Sequence, residues 1–254
     1  GMQLAINAGA FQRTDDRRAD GDHATARLSC AADLRDEFGA DVEPLAVHAV
    51  FVDVVHAHRL EGAGADMQRH KLSGASGIVY GVRLLQVLQH SDVETHLVMS
   101  DSARMTLATE LDMSVKEVEA LATEVHSAKN IGATISSGSF KTMGMVVAPC
   151  SIKSLSEIAY GMTSGLLSRA ADVVLKERRR LVLLIRETPL HSGHLRTMLQ
   201  ASENGAILMP PVPALYARPQ SIDDMVNHTV GRCLDLFDIE TDLVKRWSGM
   251  GQDK

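Results

Sequence analysis

Ser-Gly-Ala-Ser-Gly at residues 73–77 is followed at once by a run, 78–88, in which Ile78, Val82, Leu84, Leu85 and Leu88 fall at helical spacing. Small residues before a helix leave backbone N–H groups open to an anion, and the helix dipole favours negative charge there, so phosphate is the chemistry this stretch suits. By itself the turn is equally an ordinary strand-to-helix connection. Its company is hydroxyl-rich: Ser100, and Ser151, Ile152, Lys153 and Ser154 in sequence, each group placed directly after an apolar run, with the cation Arg186 placed in the same way. Any one of these serines reads as a helix cap. Gathered together, hydroxyls, exposed N–H groups and a guanidinium suit a phosphorylated cofactor.

Other side chains read first as scaffold. Lys-Glu-Arg-Arg-Arg at 176–180 is a solvated helix end, favourable beside a C-terminal dipole. Arg232 reads as a surface residue, Tyr216 as loop packing and Trp247 as an anchor for the tail. His191 and His194 are three apart without an evident third ligand, so no metal is expected. No base is placed beside Cys150, which reads as a small buried residue.

The elements that must position these groups alternate. Strands are expected near 94–99, 145–148, 181–185 and 206–209, and helices near 102–111, from Ser114, 155–160, 165–177, 192–202 and from Ser221. Ser114 with Glu117 has capping-box spacing, Asn204-Gly205 suits a left-handed helix end, and Cys233 falls on the buried face of the last helix. The continuous apolar run 181–185 is typical of a strand covered on both faces. Alternating strands and helices predict a three-layer αβα fold with a mostly parallel sheet, whose ligand lies beyond the carboxyl ends of the strands.

Composition narrows the function. The 254 residues are 45% hydrophobic, enough for one large domain with an appendage. A net charge of -6 and 4% aromatics argue against nucleic acid as a partner. Three cysteines without CxxC spacing point to a reducing cytoplasm, and neither a leader pattern nor a membrane span is expected. Residues 1–66 are rich in Ala, Asp, Gly and Arg and read as an atypical, disordered or peripheral extension before a catalytic domain at 67–254. Within that extension, 45–55 is a candidate buried strand.

Five stretches then carry a resemblance: Ser-Gly-Ala-Ser-Gly-Ile-Val-Tyr-Gly-Val-Arg-Leu-Leu (73–85), Pro-Cys-Ser-Ile-Lys-Ser-Leu-Ser (149–156), Arg-Ala-Ala-Asp-Val-Val-Leu-Lys-Glu-Arg-Arg (169–179), Arg-Glu-Thr-Pro-Leu-His (186–191) and Pro-Gln-Ser-Ile-Asp-Asp (219–224). In order, and over roughly residues 72–248, the chain resembles the UbiX-type flavin prenyltransferases. The resemblance implies a flavodoxin-like, Rossmann-like fold and a homo-oligomer, commonly a dodecamer. The implied reaction moves a dimethylallyl group from dimethylallyl phosphate to reduced FMN, without a metal, and the product serves UbiD-type decarboxylases. Carried across by motif, Gly74, Ala75, Ser76, Ser100, Ser151, Ile152, Lys153, Ser154 and Arg186 would hold FMN. Lys176, Arg186, Tyr216 and Arg232 would hold the prenyl phosphate with Arg169 nearby, and Trp247 would line the pocket. Glu110 and Glu187 match the family's acidic positions and are the candidates for proton transfer, with Lys176 and Arg186 stabilising the departing phosphate. A flavoprotein that decarboxylates cysteine, or a non-catalytic FMN carrier, are the other classes.

The chain departs from the family pattern in two places. Arg180 stands where proline is common, and residues 67–72, Met-Gln-Arg-His-Lys-Leu, are polar where a first strand should lead into the glycine turn. The expectation is a weakened strand there behind foreign upstream sequence, with 45–55 as the alternative source.

Overall fold

Strands that are apolar on both sides, and helices with one apolar stripe, are satisfied together when helices cover both faces of a parallel sheet. The computed structural model describes residues 46–51, 76–244, 246, 247 and 249. Its strands are β1 (Ala46–Phe51), β2 (His96–Met99), β3 (Glu124–Ser127), β4 (Thr142–Cys150), β5 (Arg180–Ile185) and β6 (Ile207–Leu208). Its helices are α1 (Ile78–Leu88), α2 (Asp101–Glu110), α3 (Val115–Glu119), α4 (Ile152–Ala159), α5 (Leu166–Lys176), α6 (Ser192–Glu203) and α7 (Ile222–Asp235). Every strand pair is parallel, in the order β3-β2-β1-β4-β5-β6. This is the doubly wound, Rossmann-like order, and it reverses between β1 and β4, where such sheets form a ligand crevice.

Two cores lie on opposite faces. Leu97, Met99, Val146, Ala148, Val182 and Leu184 pack with α1, α2 and α7, whereas Val98, Met145, Val147, Leu181, Leu183 and Ile185 pack with α4 and α5. Alternation along β4 and β5 therefore sends successive side chains into different cores, and it explains the unbroken apolar run at 181–185.

Most expected elements appear within a few residues of their predicted ends. Ser114 and Glu117 make the capping box, Gly205 takes φ +104 just past α6, and Cys233 is fully buried, its thiol pushed up to about 12 by desolvation. Two expectations are corrected. The first strand is Ala46–Phe51, inside the candidate strand 45–55 that stood as the alternative to a weakened strand at 67–72, and it sits between β2 and β4 at the centre of the sheet. This strand lies upstream of the expected 66/67 boundary, in the unit Glu43–Lys254. The polar stretch 67–72 lies outside the described residues. The second correction is β3, which no pattern announces: three of its four residues are exposed, so no apolar alternation marks it.

Gly144 in β4 is a close-approach position. It has φ +151, and a Cβ there would stand 2.2 Å from the Arg180 carbonyl oxygen and 2.8 Å from the Phe237 ring. Gly144→Ala is expected to lower stability by about 1–3 kcal/mol through overpacking and backbone strain. Urea denaturation followed by circular dichroism tests this, and an unchanged midpoint contradicts it.

Candidate functional site

The carboxyl ends of β2, β4 and β5 deliver Ser100, Ser151 and Arg186 to one edge of the sheet. Ser100 caps α2, its Oγ accepting from Ala103 N at 3.1 Å. Ser151 caps α4, accepting from Ser154 N at 3.0 Å while its hydroxyl donates to Ser154 Oγ at 3.1 Å. Ser151 and Ser154 are buried. Capping uses the third N–H of each helix, and the first N–H groups of a helix have no intrahelical acceptor, so a capped start still presents donors to an anion. The Arg186 amide bonds the Cys150 carbonyl at 3.0 Å, tying the end of β5 to that of β4 beside the reversal point. Arg186 is exposed and Glu187 half-buried; the Glu187 carboxylate accepts the Thr188 N–H at 2.9 Å. Ile152 is half-buried, and exposed Lys153 stands 3.8 Å from Glu157. These hydroxyls, helix starts and a guanidinium fit the phosphorylated end of a flavin nucleotide. Cys150 is buried with its thiol pushed up by desolvation, which suits packing and not nucleophilic attack.

The start of α1 departs from expectation. Of the glycine-turn residues, Ser73, Gly74 and Ala75 lie outside the described residues, and Ser76 is exposed. Gly77 and Ile78 donate their N–H groups to one oxygen of Glu110, at 2.8 and 3.2 Å. The anion at this helix start is therefore a carboxylate of the chain itself. Glu110, expected to transfer protons, accepts these two backbone N–H groups.

The residues expected around the prenyl phosphate are not gathered at that edge. Lys176 ends α5, just before β5 begins, and so lies at the amino edge of the sheet, paired with Glu177 over Gly138. The six-residue strand β5 separates it from Arg186, roughly 20 Å away along the strand. Arg169 pairs with Asp172 at 3.1 Å in α5. Arg232, in the last turn of α7, meets Asp235 at 2.6 Å.

Tyr216 and Trp247 gather around the same helix. The Tyr216 hydroxyl lies 3.2 Å from His228 Nε2, and its ring meets Trp247 edge to face at 6.0 Å. Burial, reinforced by Arg232, holds His228 below its ordinary value. Arg246 grips Asp235 with both terminal nitrogens, at 2.9 and 3.2 Å, and so brings the adjacent Trp247 back to Tyr216. Neither His228 nor Asp235 stands out in the sequence; each is one polar residue on an amphipathic helix.

Among the described residues, His96, Glu124 and His126 place ligand atoms within 4.8 Å of one another. His96 Nδ1 and His126 Nε2 are 2.9 Å apart, with ring planes 8° from parallel and centroids 5.2 Å apart. That spacing sets the two nitrogens head-on between the rings, the geometry of an N–H···N hydrogen bond between β2 and β3. A shared cation would need both lone pairs turned to one point. His191 and His194 are in ring contact, but His191 Nδ1 accepts the Gly193 N–H as the cap of α6.

The Flavoprotein family model matches residues 70–234, the span that holds this edge of the sheet. The flavin prenyltransferase UbiX of Escherichia coli K12 is 64% identical over 181 residues, 70% of this chain and 96% of that protein. A crystal structure of AnUbiX (PadA1) in complex with FMN and dimethylallyl pyrophosphate superposes with a TM-score of 0.71 at 43% identity, covering 82% of this chain and 98% of that one. A dodecameric FMN-dependent UbiX-like decarboxylase from Escherichia coli O157:H7 gives the same TM-score and identity, covering 81% and 100%.

The Asp235 clamp is testable in isolation, because Trp247 is the single tryptophan. The hydrogen bonds of Arg246, then of Arg232, hold the Asp235 carboxyl below its usual range. A lowered carboxylate contributes above its unfolded value and stops contributing as pH falls through the folded one. The tail should thus stay docked from neutral pH down to about 4 and release below that. Asp235→Asn should free it already at pH 7, lowering Trp247 fluorescence anisotropy; equal anisotropy in variant and parent contradicts the clamp.

Proposed function

This chain belongs to the UbiX flavin prenyltransferase family, and from that premise we propose that it transfers a dimethylallyl group from dimethylallyl phosphate to reduced FMN. The observation that carries the reading is the 64% identity extending over nearly the whole length of an enzyme named for this activity. Ser76, Ser100, Ser151, Ile152, Lys153, Ser154 and Arg186 hold the flavin nucleotide, with Gly74 and Ala75 before them. When bound and reduced, FMN supplies the nucleophilic ring positions that accept the prenyl carbon.

The chain's own residues act on the donor. Lys176, Arg186 and Arg232, with the Tyr216 hydroxyl, grip its phosphate, and Arg169 adds positive charge nearby. As the carbon–oxygen bond breaks, negative charge grows on that phosphate, and preorganised cations and a hydroxyl stabilise it most at that moment. A guanidinium offers five donors in a fixed fork, so Arg186 can serve both the flavin and the prenyl phosphate. Trp247 covers the apolar chain and excludes water. Glu110 or Glu187, the acidic residues of the site, moves the proton released when the new ring closes.

No single phosphate reaches both Lys176 and Arg186 of one chain across the length of β5. The complete site is therefore built between copies of this chain in a homo-oligomer, with the dodecamer of the E. coli relative as its pattern. The prenylated flavin passes to a UbiD-type decarboxylase. The setting is the cytoplasm, where the unpaired, buried thiols of Cys150 and Cys233 stay reduced.

Anaerobic incubation with reduced FMN and dimethylallyl phosphate should yield a flavin heavier by one prenyl unit, detected by mass spectrometry; its absence sinks the reading. Lys176→Ala should retain FMN and lose about a hundredfold or more in turnover. Undiminished turnover in that variant removes Lys176 from the mechanism.

A further inference from the structure

We infer that His228 is a positioning residue for prenyl transfer: its Nε2–H donates to the Tyr216 oxygen and so leaves the tyrosine's own proton for the departing phosphate. The inference rests on the reading proposed above, in which Tyr216 and Arg232 meet the phosphate of the prenyl donor. It gives a role to a histidine outside that set.

Tyr216 needs support from elsewhere in the fold. It lies in a short turn, Leu215–Ala217, after Pro210-Pro211-Val212-Pro213, and no residue of that turn is buried. Among the described residues, the partner of its hydroxyl is His228 Nε2, at 3.2 Å, with the two rings nearly perpendicular and their centroids 5.8 Å apart. His228 stands on firmer ground. Helix α7 buries Val226, Val230, Cys233 and Leu234, and its start is closed by the capping box of Ser221 and Asp224. The packed helix therefore sets where the exposed tyrosine stands. His228 and Arg232 are four apart, which makes them neighbours on one face of α7. That face brings a hydroxyl and a guanidinium to the same anion.

The direction of the hydrogen bond follows from counting protons. A phenol has one, and a phosphate dianion accepts without donating. Tyr216 serves the phosphate only if its proton is not already given to His228, so His228 must be the donor between them. Burial first, and then Arg232, hold His228 below its ordinary value against the opposing pull of Asp235, so the ring is neutral at pH 7. A neutral imidazole donates from one nitrogen and accepts at the other, which assigns the proton to Nε2 and the lone pair to Nδ1. The chain His228 Nε2–H to Tyr216 O–H to phosphate then runs in one direction, each bond polarising the next. Its effect is greatest as negative charge grows on the leaving group.

His228→Leu removes the donor, and His228→Gln keeps an N–H at a similar reach. Each is made alone, and His228→Leu is also combined with Tyr216→Phe. Turnover is measured at saturating FMN and dimethylallyl phosphate, FMN affinity by flavin fluorescence titration, and folding by circular dichroism. His228→Leu should lose about tenfold or more in kcat with FMN affinity unchanged, and His228→Gln should stay within about threefold of the parent. Added to Tyr216→Phe, His228→Leu should cost less than about twofold more, because a residue acting through the hydroxyl has nothing left to act on. Nitrogen NMR of histidine-labelled protein, with the His228 signals assigned by their loss in His228→Gln, should show a protonated Nε2 and a bare Nδ1 at pH 7.

An equal loss with and without the Tyr216 hydroxyl overturns the inference, since ring packing alone would give it. Parental kcat in His228→Leu, or a His228→Gln as slow as His228→Leu, overturns it too. A bare Nε2 in an active parent overturns the inference alone. A parent that makes no prenylated flavin overturns the reading beneath it, and the inference with it.

Discussion

Burial of a parallel sheet on both faces is the constraint from which the rest of this molecule follows. Val146 and Val147 on β4 enter different cores, as do Leu183 and Leu184 on β5, so neither face is open to a ligand. Chemistry is confined to the two edges where strands end, and the helices connecting them must traverse the height of the sheet. The same constraint divides the polar residues. Serines and Arg186 that follow strands collect at the carboxyl edge, and Lys176, which precedes β5, falls at the amino edge. A reaction that needs both sets requires more than one copy of the chain.

Helix starts at the carboxyl edge show how unsatisfied backbone becomes a resource. Helices α2 and α4 are capped by the serines immediately before them, at the crevice end of the sheet. Reading a serine as a cap and reading it as part of an anion site are compatible, because a cap satisfies only some of the first donors. Helix α1 lacks any local cap and takes Glu110 from across the fold. The glycine that permits the tight turn is also the residue that cannot cap it.

The other polar assembly lies around α7. Asp235 is shared between Arg232 on its own helix and Arg246 on the tail, and this one carboxylate fixes where Trp247 meets Tyr216. His228 completes the group through the Tyr216 hydroxyl. Arg232, Tyr216 and Trp247, widely spaced along the chain, are therefore parts of one surface, whereas Arg186 belongs to another.

Elements whose signals are local can be read from the order of amino acids alone. The helix 78–88 is legible from its apolar spacing, the Ser114 start from its capping-box spacing, the end of α6 from Asn204-Gly205, and β5 from its unbroken apolar run. Parallel pairing, and the gathering of Ser100, Ser151 and Arg186, follow from where those elements end. Edge strand β3 is not legible, because an exposed strand carries no apolar period. Nor is the use of Ala46–Phe51 as the central strand, since strand pairing depends on which segment fills the gap between β2 and β4 and not on its distance along the chain. It takes the folded chain to show that Glu110 occupies the start of α1, that Asp235 holds the tail, and that Lys176 and Arg186 stand at opposite edges. Backbone hydrogen bonding within a helix repeats every few residues and leaves a trace in the sequence. A single carboxylate closing a contact over 33 residues leaves none.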